Sequence, residues 1–223
     1  MEIYWNILSR SRLFRGIGES EATAMLACLS PAPHTYGRGE YIYRQGENIT
    51  AMGLVISGSI LIAREDYWGN RSILSEIPQG QLFGESYACS QSILSAVSAI
   101  AAQKSTVLFF DVQRILSPCQ SACSFHTRLI QNLIAVLADK NIGLTDKIEH
   151  ISQRKLRDKV LSYLSAEAKR HGSADFSIPF NRQELADYLE VDRSALSTEI
   201  SKMRREGWLR AQGNNFVLTG PEA

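Results

Sequence analysis

The 223-residue sequence has no excess of either charge, with 24 Lys and Arg against 23 Asp and Glu and a net charge of +1. A uniformly basic surface is therefore excluded, and any affinity for nucleic acid must come from the local arrangement of side chains. Long apolar runs are missing too: runs such as Val107-Leu-Phe-Phe110 are far too short to cross a bilayer. The amino terminus, Met1-Glu-Ile-Tyr-Trp5, lacks the basic-then-apolar pattern of an export signal. The expected location is the cytoplasm, with no membrane partner. Cysteine is sparse. Cys28, Cys89, Cys119 and Cys123 contain no C-x-x-C pair, which argues against a disulfide framework. No nucleophile elbow, phosphate-binding loop, metalloprotease motif or dinucleotide fingerprint is found, so no motif indicates an enzyme.

What is there changes texture along the chain. Residues 1–30 place Ile7, Leu8, Leu13, Phe14, Met25, Leu26 and Leu29 at helical spacing, and Ser30-Pro31 closes the segment. From Ala32 to Asp111, short strand-like runs alternate with glycine turns: Tyr41–Tyr43, Leu54–Ile56, Ser59–Ala63, Ser72–Leu74 and Thr106–Phe110. Many short strands at this spacing predict an antiparallel roll. Pro118 then opens a helical stretch to about Ser152. Its set Ile130, Leu133, Leu137, Lys140, Leu144, Lys147, Ile151 steps by threes and fours, as the seam of a partly polar dimer helix does. A further helix, from about Gln153 to Arg170, ends at His171-Gly172. The fold class is α+β, divided into a helical cap and roll (1–117), a dimerisation helix and hinge (118–152) and a carboxy-terminal module (153–223).

Segment 181–209 carries the most specific pattern. Asn181-Arg-Gln-Glu184 reads as a capping box, with Leu185, Ala186 and Leu189 facing inward. Glu190-Val191 make a tight turn, and Asp192 caps a second helix with Leu196, Ile200 and Met203 on its buried side. The opposite face collects Arg193, Ser194, Ser197, Thr198 and Ser201. An arginine and small hydroxyls at the amino end of the second helix suit base reading in the major groove. An ordinary solvated helix would favour Glu and Lys there. Arg182 and Gln183, opening the first helix, are placed to hold the sugar-phosphate backbone. Leu209 to Leu218 alternates around Gly213-Asn-Asn215, as a small hairpin wing does.

Together with Gly39-Glu40, Arg44-Gln-Gly-Glu47, Leu54-Val-Ile-Ser-Gly-Ser-Ile60 and Gly80-Gln-Leu-Phe-Gly-Glu85, these residues resemble the CRP/FNR family of bacterial transcription regulators, from residue 13 to residue 218. The resemblance implies a cyclic-nucleotide-binding-domain roll, a long dimer helix and a winged helix-turn-helix. It implies a homodimer on a two-fold symmetric operator, with half-sites about one helical turn apart. It also implies a small-molecule effector between roll and helix, and RNA polymerase as a partner. Two departures bear on the effector. Cyclic-nucleotide members bind the cyclic phosphate with an Arg-Ser pair, and the corresponding positions here read Ser95-Ala96. Without that guanidinium a buried phosphate has no bidentate partner, which argues against cyclic AMP. Members holding an iron–sulfur cluster carry a cysteine group near the amino terminus; only Cys28 stands there. Ser194 and Thr198 occupy recognition-helix positions where many members have Glu and Arg, so a different half-site is expected.

For the sensor, the expected pocket lining is Leu61, Leu74, Phe83, Gly84, Glu85, Ser95 and Ser98 from the roll with Asn141 from the dimer helix. Its mostly uncharged character suits an aromatic or acyl effector. The alternative is a thiol or metal switch. Cys119, Cys123 and His126 lie four and three residues apart, so on a helix they share a face with zinc-compatible donors. The plainer reading makes the cysteines small apolar packers and His126 a hydrogen-bonded core histidine.

Overall fold

The computed structural model describes residues 2–68, 71–90, 93–117 and 124–220. They form two compact units, Met1–Asp139 and Lys140–Ala223. The first opens with α1 (Glu2–Leu8), a 3-10 turn (Arg12–Phe14) and α2 (Glu19–Leu29). The Glu21 carboxylate accepts a hydrogen bond from the Gly18 N–H that precedes α2. Ser30, at φ 44°, turns the chain out of the helix ahead of Pro31, where a helix could not continue.

Eight strands follow: β1 (Ala32–Tyr36), β2 (Tyr41–Tyr43), β3 (Ala51–Ser57), β4 (Ser59–Glu65), β5 (Arg71–Pro78), β6 (Leu82–Phe83), β7 (Ser98–Ala101) and β8 (Ser105–Asp111). They make two four-stranded antiparallel sheets, ordered β1-β8-β3-β6 and β2-β7-β4-β5. Met52, Leu54, Ile60, Phe83, Ala99, Leu108 and Phe110 form one buried cluster with Leu13 and Phe14. The five strands expected from alternation are present. The other three escaped it for separate reasons. β1 lies at a sheet edge, which tolerates Pro33. β6 has two residues, and β7, Ser-Ala-Ile-Ala, is buried along its whole length and so shows no alternation.

Short helices α3 (Glu85–Ser90) and α4 (Val112–Leu116) lead to α5 (Ser124–Ser152), the 29-residue helix expected from the sequence. Its expected start at Pro118 lies outside the described residues. Leu129, Leu133 and Val136 are buried in the roll cluster. On a neighbouring face, Arg128 donates to the Gly16 carbonyl, Asn132 to the carbonyls of Leu13 and Arg15, and Asp139 pairs with Arg12. The seam drawn from the sequence needs correction here. Leu133 is 1% exposed and faces the roll, whereas Ile134, Leu144 and Ile148 are about 60% exposed. The uncovered stripe runs through Ile134 and not Leu133.

The second unit continues with α6 (Leu156–His171), β9 (Asp175–Ser177), α7 (Arg182–Leu189), α8 (Arg193–Arg205), β10 (Leu209–Gln212) and β11 (Asn215–Leu218). Its core joins Val160, Leu164, Phe176, Leu185, Leu189, Leu196, Ile200, Met203 and Phe216. The three strands order β10-β11-β9. Among the described residues, no helix is long and apolar enough to cross a membrane.

Candidate nucleic-acid interface

Side chains fix the start of both α7 and α8. The Asn181 side chain accepts from the N–H groups of Gln183 and Glu184 at 2.8 and 3.0 Å, and the Glu184 carboxylate accepts from the Asn181 N–H at 2.7 Å. This is the capping box read from the sequence. Glu190, at φ 54°, reverses the chain after Leu189. Asp192 then caps α8, accepting from the Ala195 N–H at 2.9 Å and from the Ser194 hydroxyl. These hydrogen bonds, that of Ser194 foremost, hold the Asp192 carboxyl below its ordinary range. With Leu196, Ile200 and Met203 buried and Ser197 and Glu199 half-buried, the other residues of α8 are exposed.

The outward residues fall into two rows. Ser194, Thr198, Ser201 and Arg205 succeed one another at steps of four, three and four, so they share one line along the helix. Arg193, Ser197 and Arg204 form the flanking line. Arg193 and Thr198 are exposed. Two of the expected base readers are occupied locally: the Ser194 hydroxyl serves the cap, and the Ser201 hydroxyl donates to the Ser197 carbonyl at 2.8 Å. Gln183 donates within its own helix to Asp187 at 2.8 Å.

The sequence reading stopped at Ser201 and missed the last turn. A groove between α8 and the wing is lined by Ser201, Arg204, Arg205, Arg210, Gln212 and Asp175 among others. Extending the same helical steps one turn past Ser201 reaches Arg204 and Arg205. Arg182 is half-buried, with its guanidinium 5.4 Å from the Phe216 ring centre and a 3.4 Å donation to the Gly213 carbonyl. Burial, and then repulsion from Arg204, lowers its pKa. Arg204, Arg205 and Arg210 thus build a local cationic groove, with Arg182 close enough to Arg204 to feel its charge, on a chain of nearly neutral net charge. Such an arrangement suits a polyanion.

Arg157 of α6 braces α8. Its Nε donates to Glu199 at 2.6 Å and its Nη1 to Glu206 at 2.6 Å. The hydrogen bond from Arg157 holds the Glu206 carboxyl below its ordinary range. Since the folded value is depressed, the contribution is complete above the ordinary glutamate range and is lost as pH falls through the folded value. Thermal unfolding across acid pH should show this step in the wild type and a smaller one in Arg157→Ala. Equal pH dependence in both would show that the contact contributes nothing to folding.

In the roll, the expected sensor residues divide. Phe83 is buried and stacks on Tyr43 with ring centres 5.9 Å apart, and Gly84, at φ 76°, packs beside Tyr43. Glu85 is buried at the start of α3, and burial, then the Glu85 charge, raises the Tyr43 and Cys89 pKa values. Ser95 and Ser98 are both buried. The Ser95 hydroxyl donates to the Val97 carbonyl at 2.6 Å, and the Ser98 hydroxyl accepts from the Gln45 N–H at 2.9 Å. Leu61 is half-buried in β4. Leu74 is 56% exposed, the extra residue of a bulge where Ile62 pairs Ser75 and Ala63 pairs Ile73, so the roll interior does not receive it. Asn141 is exposed and belongs to the second unit.

For the thiol or metal alternative, Cys119 and Cys123 lie outside the described residues. His126 is buried with Nε2 2.7 Å from the Ile115 carbonyl, an atom that can only accept. That nitrogen therefore carries a proton and faces the backbone, as the plainer reading of a core histidine expected. Among the described residues, no group of three His, Cys, Asp or Glu side chains could hold a metal ion.

Comparison with known proteins bears on both units. Residues 33–122 match the cyclic nucleotide-binding domain, and residues 158–223 match the Crp-like helix-turn-helix domain. The chain is 19% identical to a CRP-like cAMP-activated global transcriptional regulator of Mycobacterium tuberculosis, covering 97% of this chain and 96% of that protein. It is 25% identical to the cyclic AMP receptor protein of Thermus thermophilus, covering 90% and 88%. In fold it resembles the c-di-GMP responsive global regulator CLP of Xanthomonas campestris, with a TM-score of 0.57 at 20% identity over 89% of this chain and 98% of that one. The α+β architecture, the two matched domains and the full-length likeness to named regulators agree: the chain belongs to the CRP/FNR family of transcription regulators.

Proposed function

We propose that this regulator works in the cytoplasm as a homodimer on a two-fold symmetric operator, under the control of a small-molecule effector held between the roll and the amino-terminal half of α5. The observation that carries the DNA reading is the outward face of α8, hydroxyl-rich at its amino end and cationic at its carboxyl end beside the wing. Arg193 and Thr198 read base edges, with Ser197 beside them. Ser194 and Ser201 turn outward from their local bonds only where a base or phosphate replaces the partner they give up. Arg182 and Gln183, with Arg204, Arg205 and Arg210, hold the sugar-phosphate backbone. A phosphate between Arg182 and Arg204 would relieve their mutual repulsion.

Selection of operators from random DNA tests this. Arg193→Ala should relax preference at one base pair and cost about 1–3 kcal/mol if Arg193 reads guanine. An unaltered motif with uniformly weaker binding would assign it to phosphate. An absence of any selected motif would overturn sequence-specific reading altogether.

The names of the relatives concern cyclic AMP and c-di-GMP for those proteins. In this chain Ser95 spends its hydroxyl on the Val97 carbonyl, and the roll interior around the buried Tyr43 and Phe83 pair is aromatic and apolar, with Glu85 as its nearby acid. Those features support an aromatic or acyl effector over a cyclic phosphate. Native mass spectrometry of protein purified from its host would identify a retained ligand, and a cyclic nucleotide there would refute the reading. Contact with RNA polymerase, as activator or repressor, completes the proposal.

A further inference from the structure

The outward cations of α8 share their helix with little negative charge. From Arg193 to Arg205 the sequence holds one acid, Glu199, and Glu206 follows directly after the last turn. Each acid stands within reach of cations on its own helix: Glu199 lies three residues before Lys202, and Glu206 lies four residues after it and next to Arg205. Lys202 and Arg205 are both exposed. The hydrogen bond from Arg157 foremost, and after it the charges of Lys202 and Arg205, hold the Glu206 carboxyl low, so both cations already act on that acid. Left to themselves the two carboxylates would close on the cations of α8 and compete with any phosphate for them.

Arg157 stands between them and that outcome. It is the second residue of α6, and its one guanidinium serves both acids, Nε donating to Glu199 and Nη1 to Glu206, each at 2.6 Å. Arg157 is 26% exposed, Glu199 20% and Glu206 36%, so solvent screens these contacts less than it would a fully exposed pair. A rigid fork with donors on separate nitrogens suits two carboxylates at once, which the point charge of a lysine does not.

We propose that Arg157 is a positioning residue for DNA binding: by occupying both Glu199 and Glu206 it leaves Arg205, and Lys202 on the same helix, available to the DNA backbone. Arg157 acts through the two acids and not on the DNA. The inference rests on the reading that Arg204, Arg205 and Arg210 hold the sugar-phosphate backbone, and deepens it. The contact that braces α8 thus also sets how many of its cations a phosphate finds unclaimed.

Titration of the full-length protein with a fluorescein-labelled duplex of random sequence, at several salt concentrations, tests this, because backbone contacts carry no base preference. Arg157→Met keeps the aliphatic stem and removes the charge. It should bind at least tenfold more weakly at low salt. Its slope of log affinity against log salt should fall by about 0.9 for each cation the released acids capture, or about 1.8 for a homodimer losing one in each protomer. Adding Glu199→Gln and Glu206→Gln to Arg157→Met should restore the slope, a rescue that a purely structural brace cannot give. The same two glutamines with Arg157 intact should keep the wild-type slope, because their charges are already engaged. Arg205→Ala with an unaltered slope would overturn the backbone reading itself. With that slope lowered, a wild-type slope in Arg157→Met, or a loss that the two glutamines do not restore, would overturn only the role of Arg157. So would a slope raised by the two glutamines in the presence of Arg157, and this last comparison decides the matter even if Arg157→Met does not fold.

Discussion

Gly58→Ala is expected to cost about 3–5 kcal/mol of folding stability, a large share of what a domain of this size possesses. Gly58 joins β3 to β4 at φ 79°, where an L side chain is strained by about 1–2 kcal/mol. A Cβ there would also stand 2.3 Å from Ser105 Oγ and 2.6 Å from the Lys104 carbonyl oxygen. The second is backbone and cannot rotate away. Ser105 is fully buried, accepts from the Ser59 N–H at 3.2 Å and lies within donating distance of the Ser59 and Gln103 carbonyls. Displacing it unsettles the point where β3, β4 and β8 meet. Gly80→Ala is the control, because φ is 83° there and a Cβ would meet nothing within 4 Å. Urea unfolding should therefore show a loss near the strain term alone at Gly80. Equal losses at the two sites would show that the clash at Gly58 relaxes without cost.

How far the sequence discloses this molecule depends on whether the deciding force is local. Capping is local, so Asn181-Arg-Gln-Glu184 and Asp192 announce the ends of α7 and α8, and the structure places both caps there. Alternation is local as well, which is why β3, β4 and β8 are legible. The orientation of α5 is not. Leu133 and Ile134 are both apolar, and a helix of 3.6 residues per turn accommodates a step of three or of four. Only the roll, by taking Leu133, leaves Ile134 outside. The roll residues Ser95 and Ser98 illustrate the same limit. Their residue type allows ligand contact, but their hydroxyls are bound to Val97 and Gln45, partners that the sequence does not single out. Arg157 shows the same limit, gripping carboxylates 42 and 49 residues further along the chain. On the outward face of α8, the hydroxyls near the cap are legible as a candidate site, whereas the cations at its other end become one only when β10 brings Arg210 beside them.

Replacing Arg204, Arg205 and Arg210 together by alanine is expected to weaken operator DNA and unrelated DNA alike, by 100-fold or more at low salt, with the selected motif unaltered. Phosphate contacts release counterions, so the slope of log affinity against log salt falls by about 0.9 for each contact removed, about 2.7 for the three contacts of each protomer and about 5.4 for the homodimer. The groove supports that number: three guanidinium groups from α8 and β10 line one channel with Ser201, and Asp175 is its acidic member. Folding should be retained, because Arg204, Arg205 and Arg210 are exposed and take no part in the core of Leu196, Ile200, Met203, Leu209 and Phe216. Arg193→Ala provides the contrast, since a base-reading arginine changes which sequence is preferred and moves the salt slope by no more than one contact. Binding titrations of both variants at several salt concentrations separate the roles. A triple variant that kept the wild-type slope would show that the backbone does not enter this groove. One that changed the selected base pairs would show that the carboxyl end of α8, and not only its amino end, lies against base edges.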